Sequence, residues 1–241
     1  MAGGGSGQPA RGNTGRTAGA PGLILSVISL NAIASRGGMM ALRRVYDTAL
    51  DAITSSLHDG YIDRLHKWSD IQEYLPFLYE TARSYENVRV LELGSRKGNS
   101  TLAFLAAAVY SDGHVVSVDI DPVADDPAGM RPWRRTLRWT FIQGDDMDEF
   151  IQAKLPPQVD VLFIDTSHEY EHTLAELYAY MPRLSNKGVA LFHDTNLIGW
   201  PGYDWKGTVP PVQEALDVYC AATGKTWENL PGTYGLGIIR A

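Results

Sequence analysis

The chain has 241 residues with 21 basic and 28 acidic side chains, a formal charge of −7 and an isoelectric point near 5.3. With 44% apolar and 20% charged residues it has the composition of a globular protein, which excludes whole-chain disorder, collagen-like repeats and coiled-coil arrays. A single cysteine, Cys220, excludes an internal disulfide and a Cys-based zinc site, and the acidic balance argues against nucleic acid as a partner.

Residues 1–21 are dominated by Gly, Ser, Thr and Ala and read as a flexible tail. The apolar stretch 22–34 is too short to span a bilayer, so no membrane association is expected. Arg11 and Arg16 before it and Ala32-Ile33-Ala34 within it also permit a signal-peptide reading, against which stands the long Gly-rich leader. A cytoplasmic protein is the expectation. Leaving 22–34 in water is costly, which favours a homo-oligomer.

From 39 to 83 apolar residues fall three or four apart, predicting helices that His58-Asp59-Gly60 interrupts and that resume at Ser69, with Pro76 as a candidate kink. Together, 22–86 form a helical N-terminal extension, a lid or oligomerisation element, before a domain at 87–241. That domain alternates short apolar runs with helices. Strands are predicted at 88–93, 114–120, 139–143, 159–164 and 188–192, with a last one at 234–239. Helices are predicted at 100–109, 132–137, 147–155 and 170–184. The alternation implies a doubly wound α/β domain with a mainly parallel sheet, whose ligands sit beyond the carboxyl ends of the strands.

Each strand end carries chemistry. After the first, Glu92-Leu93-Gly94-Ser95-Arg96-Lys97-Gly98-Asn99-Ser100 forms a Gly-containing turn opening a helix, whose free N–H groups can hold a polar ligand. The second delivers Asp119, placed to take both hydroxyls of a ribose, and the third Gly144 and Asp145, beside which an adenine amino group can be met. The fourth ends Asp165-Thr166-Ser167-His168 and the fifth His193-Asp194-Thr195, so carboxylates and imidazoles converge for proton transfer or divalent-ion binding. Trp200, Tyr203 and Trp205, on the loop after the fifth strand, form a candidate substrate wall.

The runs Val90-Leu-Glu-Leu-Gly-Ser-Arg-Lys-Gly-Asn-Ser-Thr, Val118-Asp-Ile-Asp-Pro, Phe163-Ile-Asp-Thr-Ser-His-Glu-Tyr and Lys187-Gly-Val-Ala-Leu-Phe-His-Asp-Thr, in this order and spacing, resemble a class I S-adenosylmethionine-dependent methyltransferase. The similarity is greatest to the branch with the cephalosporin-hydroxylase-like proteins and the macrolide-sugar O-methyltransferases. It implies that Glu92, Gly94, Ser95 and Gly98 surround the methionine part of S-adenosyl-L-methionine, with Asn99 and Ser100 at the helix start. Asp119 would hold the ribose, and Gly144 with Asp145 the adenine. Asp165, His193 and Asp194 occupy the positions that bind Mg2+ in metal-dependent members, and His168 that of the base. The implied reaction is O-methylation of a small-molecule natural product or sugar-bearing acceptor. Two departures stand out: Arg96 replaces a second glycine of the loop, and His193 replaces an acid, which leaves metal dependence open.

Alternatives are a non-catalytic nucleoside-binding module and an NAD-linked oxidoreductase, although Gly-Ser-Arg-Lys-Gly lacks the closely spaced glycines that let a backbone approach a pyrophosphate. His168-Glu169-Tyr170-Glu171-His172 also matches the His-Glu-x-x-His pattern of zinc hydrolases. That pattern needs both histidines on one helical face, whereas Thr166 and Glu169 read as a capping box with His168 in the first turn.

Overall fold

The protein is described from a computed structural model covering residues 36–122, 138–199 and 203–241, with side chains from 51 onward. The tail at 1–21, the apolar stretch at 22–34, the helix predicted at 132–137 and Trp200 lie outside the described residues. Two compact units are present, Met1–Leu50 and Asp51–Ala241.

Helix α1 runs Arg36–Leu65 and is not interrupted at His58-Asp59-Gly60. Leu57 and Tyr61, one turn apart, are both buried there, and that packing outweighs the helix cost of Gly60, about 1 kcal/mol. A 3-10 turn at Gln72–Tyr74 leads into α2, Leu75–Arg83, where Pro76 falls in the first turn, the position that needs no N–H, and so opens the helix instead of kinking it.

Seven strands follow: β1 Arg89–Leu93, β2 His114–Asp119, β3 Trp139–Gln143, β4 Val159–Ile164, β5 Leu184–His193, β6 Trp227–Leu230 and β7 Leu236–Arg240. Their order is β3-β2-β1-β4-β5-β7-β6, parallel except for the antiparallel pairs that β7 makes with β5 and β6. Helices α3 Asn99–Ser111, α4 Glu149–Gln152, α5 Tyr170–Tyr180 and α6 Pro211–Thr223 complete the described elements.

Alternation along the central strands sends Val90, Val161 and Phe163 into one core with α2 and α3, and Leu91, Leu93, Leu162 and Ile164 into the other with α5 and α6. Residues Leu102 to Ala108 of α3 are all fully buried, which explains why that helix is apolar all round. Strand order reverses between β1 and β4, so this is the switch point at which a ligand crevice opens. The two chains leave it side by side: Asp165 N–H donates to Leu93 O at 2.8 Å, and a Cβ on Gly94 would lie 2.0 Å from Asp165 O. Only glycine fits there.

Candidate active site

The loop from β1 to α3 turns through three left-handed residues, Gly94 (φ 81°), Arg96 (φ 40°) and Gly98 (φ 73°). Arg96 therefore takes the conformation a second glycine would take, at some strain. Compensation is visible at both ends of the residue: its N–H donates to Asp119 Oδ2 at 2.7 Å, and its guanidinium donates to Asp70 Oδ2 at 2.5 Å.

Asp119, at the end of β2, is the anchor of this loop. Its Oδ2 accepts the Ser95 and Arg96 N–H groups at 2.7 Å each and the Ser95 hydroxyl at 3.2 Å, while Oδ1 accepts Asp121 N–H at 2.9 Å. Its carboxylate rims a cavity of about 300 Å³ that Gly94, Gly144, Asp145, Asp146 and Asp165 also line. With Asp121, five carboxylates and one guanidinium, Arg96, face this space, which favours a cationic occupant. Asp145 also closes its own turn, accepting Met147 N–H at 2.8 Å.

Glu92 departs from the expectation that it meets a ligand. It is fully buried beneath the loop, where it accepts the hydroxyls of Ser100 at 2.7 Å, Thr101 at 2.7 Å and Ser117. Burial pushes its carboxyl up to about 7 against the lowering effect of those hydroxyls. Glu92 and Ser100 thus brace the start of α3 from below. Ser95, Asn99 and Ser100 line a second cavity, of about 480 Å³, on the other side of Arg96. Asp165 and Arg96 border both cavities.

At the ends of β4 and β5, four of the expected residues meet. His168 Nδ1 lies 3.2 Å from Asp194 Oδ2 and 4.0 Å from Asp165 Oδ1, and His193 Nδ1 lies 3.2 Å from Asp165 Oδ1 and 3.0 Å from Asp194 Oδ2. His168 and Asp194 both hold left-handed backbone, φ 61° and 62°, conformations that non-glycine residues keep only where the surroundings enforce them. Burial alone would lower the His193 pKa, but the flanking Asp165 and Asp194 carboxylates hold it at about 10. Burial likewise disfavours the Asp165 anion, and His193, His168 and Arg96 outweigh it, keeping that carboxyl below its usual value. Ligand atoms of Asp165, His168 and Asp194 lie within 4.8 Å of one another, compact enough for one divalent ion. Two carboxylates and an imidazole suit a borderline transition ion as well as Mg2+.

The remaining expectations fare differently. Tyr203 and Trp205 stack on each other at 6.2 Å, Trp205 packs on Tyr170 and donates its ring N–H to Val209 O at 2.7 Å, and neither lines either cavity. These two side chains hold down the loop after β5. No capping box forms: Glu169 is the N-cap of α5 and makes no side-chain cap bond, while Thr166 Oγ1 donates to Glu176 Oε1 at 2.7 Å. His168 therefore precedes the helix, and the two histidines of the zinc-hydrolase pattern belong to different clusters.

His172 belongs to a cluster the sequence reading missed. Its Nε2 lies 3.3 Å from Asp146 Oδ1 and 3.5 Å from Glu176 Oε1, and these carboxylates, hydrogen bonds first, raise its pKa to about 10. Burial pushes Glu176 up to about 7. The i,i+4 pair His172 and Glu176 on a helix beside a strand-end Asp146 was the available signal.

Comparison with known proteins adds a lineage to this geometry. Residues 91–195 match a family model described as a methyltransferase domain. Methyltransferase calH of Penicillium decumbens is 28% identical over 101 residues, 36% of this chain and 28% of that protein. The chain spans only 17% and 28% of the lengths of two curated relatives it matches. Among solved structures, the O-methyltransferase TomG of Streptomyces achromogenes, of tomaymycin synthesis and in complex with SAM, superposes with a TM-score of 0.55 at 17% identity over 82% of this chain and 94% of that one. The MycE methyltransferase of the mycinamycin pathway, in complex with Mg and SAH, gives 0.55 at 21% identity over 78% and 54%. These likenesses establish the class I methyltransferase fold.

Proposed function

We propose that this chain, which carries a methyltransferase domain on a class I methyltransferase fold, moves a methyl group from S-adenosyl-L-methionine to a hydroxyl of a small-molecule acceptor. The observation that carries this reading is the meeting of an acidic cavity with Asp165, His168 and Asp194 at the switch point of the sheet. Five carboxylates complement a sulfonium cation and oppose the pyrophosphate of a dinucleotide, which supports the methyl donor over NAD. In this reading the ribose lies at Asp119, the adenine at Gly144 and Asp145, and the methionine part along the loop from Gly94 to Asn99.

Transfer is an in-line displacement: the acceptor oxygen forms a bond to the methyl carbon, the sulfur–carbon bond breaks, and the sulfonium leaves as a neutral thioether. Orientation supplies most of the rate. The hydroxyl proton passes to His168. With Nδ1–H directed at Asp194 Oδ2, 3.2 Å away, the lone pair that accepts it is on Nε2, and the same carboxylate stabilises the imidazolium that forms. Asp165, His168 and Asp194 would also hold a divalent cation, which supplies Lewis acidity to the acceptor oxygen when bound. His193, buried between the two carboxylates and flanked by the rings of Tyr74 and Tyr234, fixes their orientation.

The test is transfer of labelled methyl from S-adenosylmethionine to a panel of phenols and glycosides. His168→Ala and Asp165→Ala should each lower turnover by roughly 10²–10⁴ with donor affinity retained. Variants within a few-fold of wild type would overturn the assignment of roles.

A further inference from the structure

The two cavities that meet at Asp165 and Arg96 have opposite electrostatic character. Where the first is walled by carboxylates, the cavity of about 480 Å³ is lined by the cations Arg64, Lys67, Arg96 and Lys97 against only Asp70 and Asp165. This is a local reversal in a chain whose net charge is −7. Two of the cations have exposed ion-pair partners: Lys67 with Asp63 at 2.6 Å, both side chains more than half exposed, and Arg96 with Asp70 at 2.5 Å. Exposed pairs of this kind contribute little and reorganise readily around a new anion. Lys97 is exposed and makes no ion pair among the described residues.

One side chain of this wall is out of place by the hydrophobic rule. Trp68 is 84% exposed, the most exposed of the large apolar residues described, although it lies between buried Leu65-side and Ile71-side packing on a segment that is otherwise well anchored. An indole left in water beside four cations offers a flat face for a ring and a charged rim for its substituent.

We propose that this second cavity is the acceptor site and that it selects an acceptor carrying an anionic group, a carboxylate, sulfate or phosphate, next to a ring that stacks on Trp68. The inference rests on the methyl donor occupying the acidic cavity. The hydroxyl to be methylated then sits at Asp165, where the cavities join, with the ring on Trp68 and the anion toward Lys67 and Lys97. The shared chemistry, an anion on a basic wall, has a second source, the carboxylate of the donor's own methionine part, and the experiment separates the two.

The probes are 2-naphthoate, neutral 2-naphthamide and cationic 2-naphthylmethylammonium, titrated calorimetrically into the full chain, alone and with saturating S-adenosylhomocysteine. Naphthoate should bind at least about tenfold more tightly than the amide, with the ammonium weakest, and S-adenosylhomocysteine should leave naphthoate bound. The double variant Lys67→Gln/Lys97→Gln should reduce the preference for naphthoate to about twofold, while Trp68→Ala should weaken naphthoate and amide by the same factor. Both sites are exposed, so folding is retained. Equal affinity for the three probes, no binding of naphthoate, or a preference that survives the double variant would overturn the proposal. Displacement of naphthoate by S-adenosylhomocysteine would also overturn it, assigning the wall to the donor's carboxylate. A naphthoate preference in a protein that fails to bind S-adenosylhomocysteine would instead retire the methyl-donor reading and leave the anion site standing.

Discussion

Glu92→Gln separates bracing from ligand contact at the heart of the site. The wild-type carboxyl is fully buried, accepts three hydroxyls and has its pKa pushed from 4.5 up to about 7. A carboxyl with a raised folded pKa keeps its proton over a window in which the unfolded chain has lost it. Stability is therefore full below about 4.5 and falls as pH rises through about 7. The rise corresponds to about 3 kcal/mol. Glutamine keeps one acceptor oxygen, and its amide can donate to a hydroxyl that rotates, so the fold should survive. Urea unfolding of both proteins at pH 5 and pH 8 is the assay. Wild type should lose about 3 kcal/mol more than the variant between the two pH values. S-adenosylmethionine affinity should stay within a few-fold, because Glu92 lies below the loop and not on the cavity wall. An unchanged pH slope, or a loss of donor affinity beyond tenfold without a change in stability, would refute the reasoning.

Gly94→Ala should cost about 3 kcal/mol or more and abolish donor binding, because the new Cβ would meet Asp165 O at 2.0 Å on a left-handed backbone; thermal denaturation and calorimetry read both effects. His172→Ala should destabilise by about 2–3 kcal/mol in urea, since it removes the cation facing Asp146 and buried Glu176, and this loss should shrink when Glu176→Gln is added. If Asp165, His168 and Asp194 hold a divalent ion in turnover, chelation should lower methyl transfer by about tenfold or more, with Mg2+ or Mn2+ restoring it and leaving donor affinity unchanged.

The parallel core of the fold was legible because β1, β2, β4 and the end of β5 are buried on both faces and read as continuous apolar runs. Where burial is partial, the pattern blurs. The edge strand β6, Trp-Glu-Asn-Leu, has only partly buried ends and carries no run, and the first residues of β5, including Asn186 and Lys187, are polar because the sheet is shifted there. Helix α6 was missed although Val212, Ala215, Leu216 and Tyr219 give it a buried stripe behind an N-terminal Pro211.

In the site, strand-end positions sufficed to bring Asp165, His168, His193 and Asp194 together, since chain order and sheet topology fix where strands end. They did not reveal which side chains face a cavity and which brace it. Glu92 is spent on hydroxyls beneath its loop, and Asp119 on the loop's own N–H groups. The inward face of α5 was misread for a related reason. Leu174, Leu177, Tyr178, Met181 and Leu184 form the apolar stripe, yet Glu176 is fully buried and Tyr178 is 53% exposed. Burying a carboxylate requires partners from elsewhere, here His172 and Thr166, and a helical pattern cannot announce them.

The central claim is tested most directly by calorimetric titration of chelator-treated protein with S-adenosylmethionine, using NAD+ as the control ligand. The acidic cavity at Asp119, Gly144 and Asp145 predicts binding of S-adenosylmethionine in the micromolar range, none of NAD+, and loss of about tenfold or more in affinity in Asp119→Asn. Binding of NAD+ alone, or of neither ligand, would contradict the account.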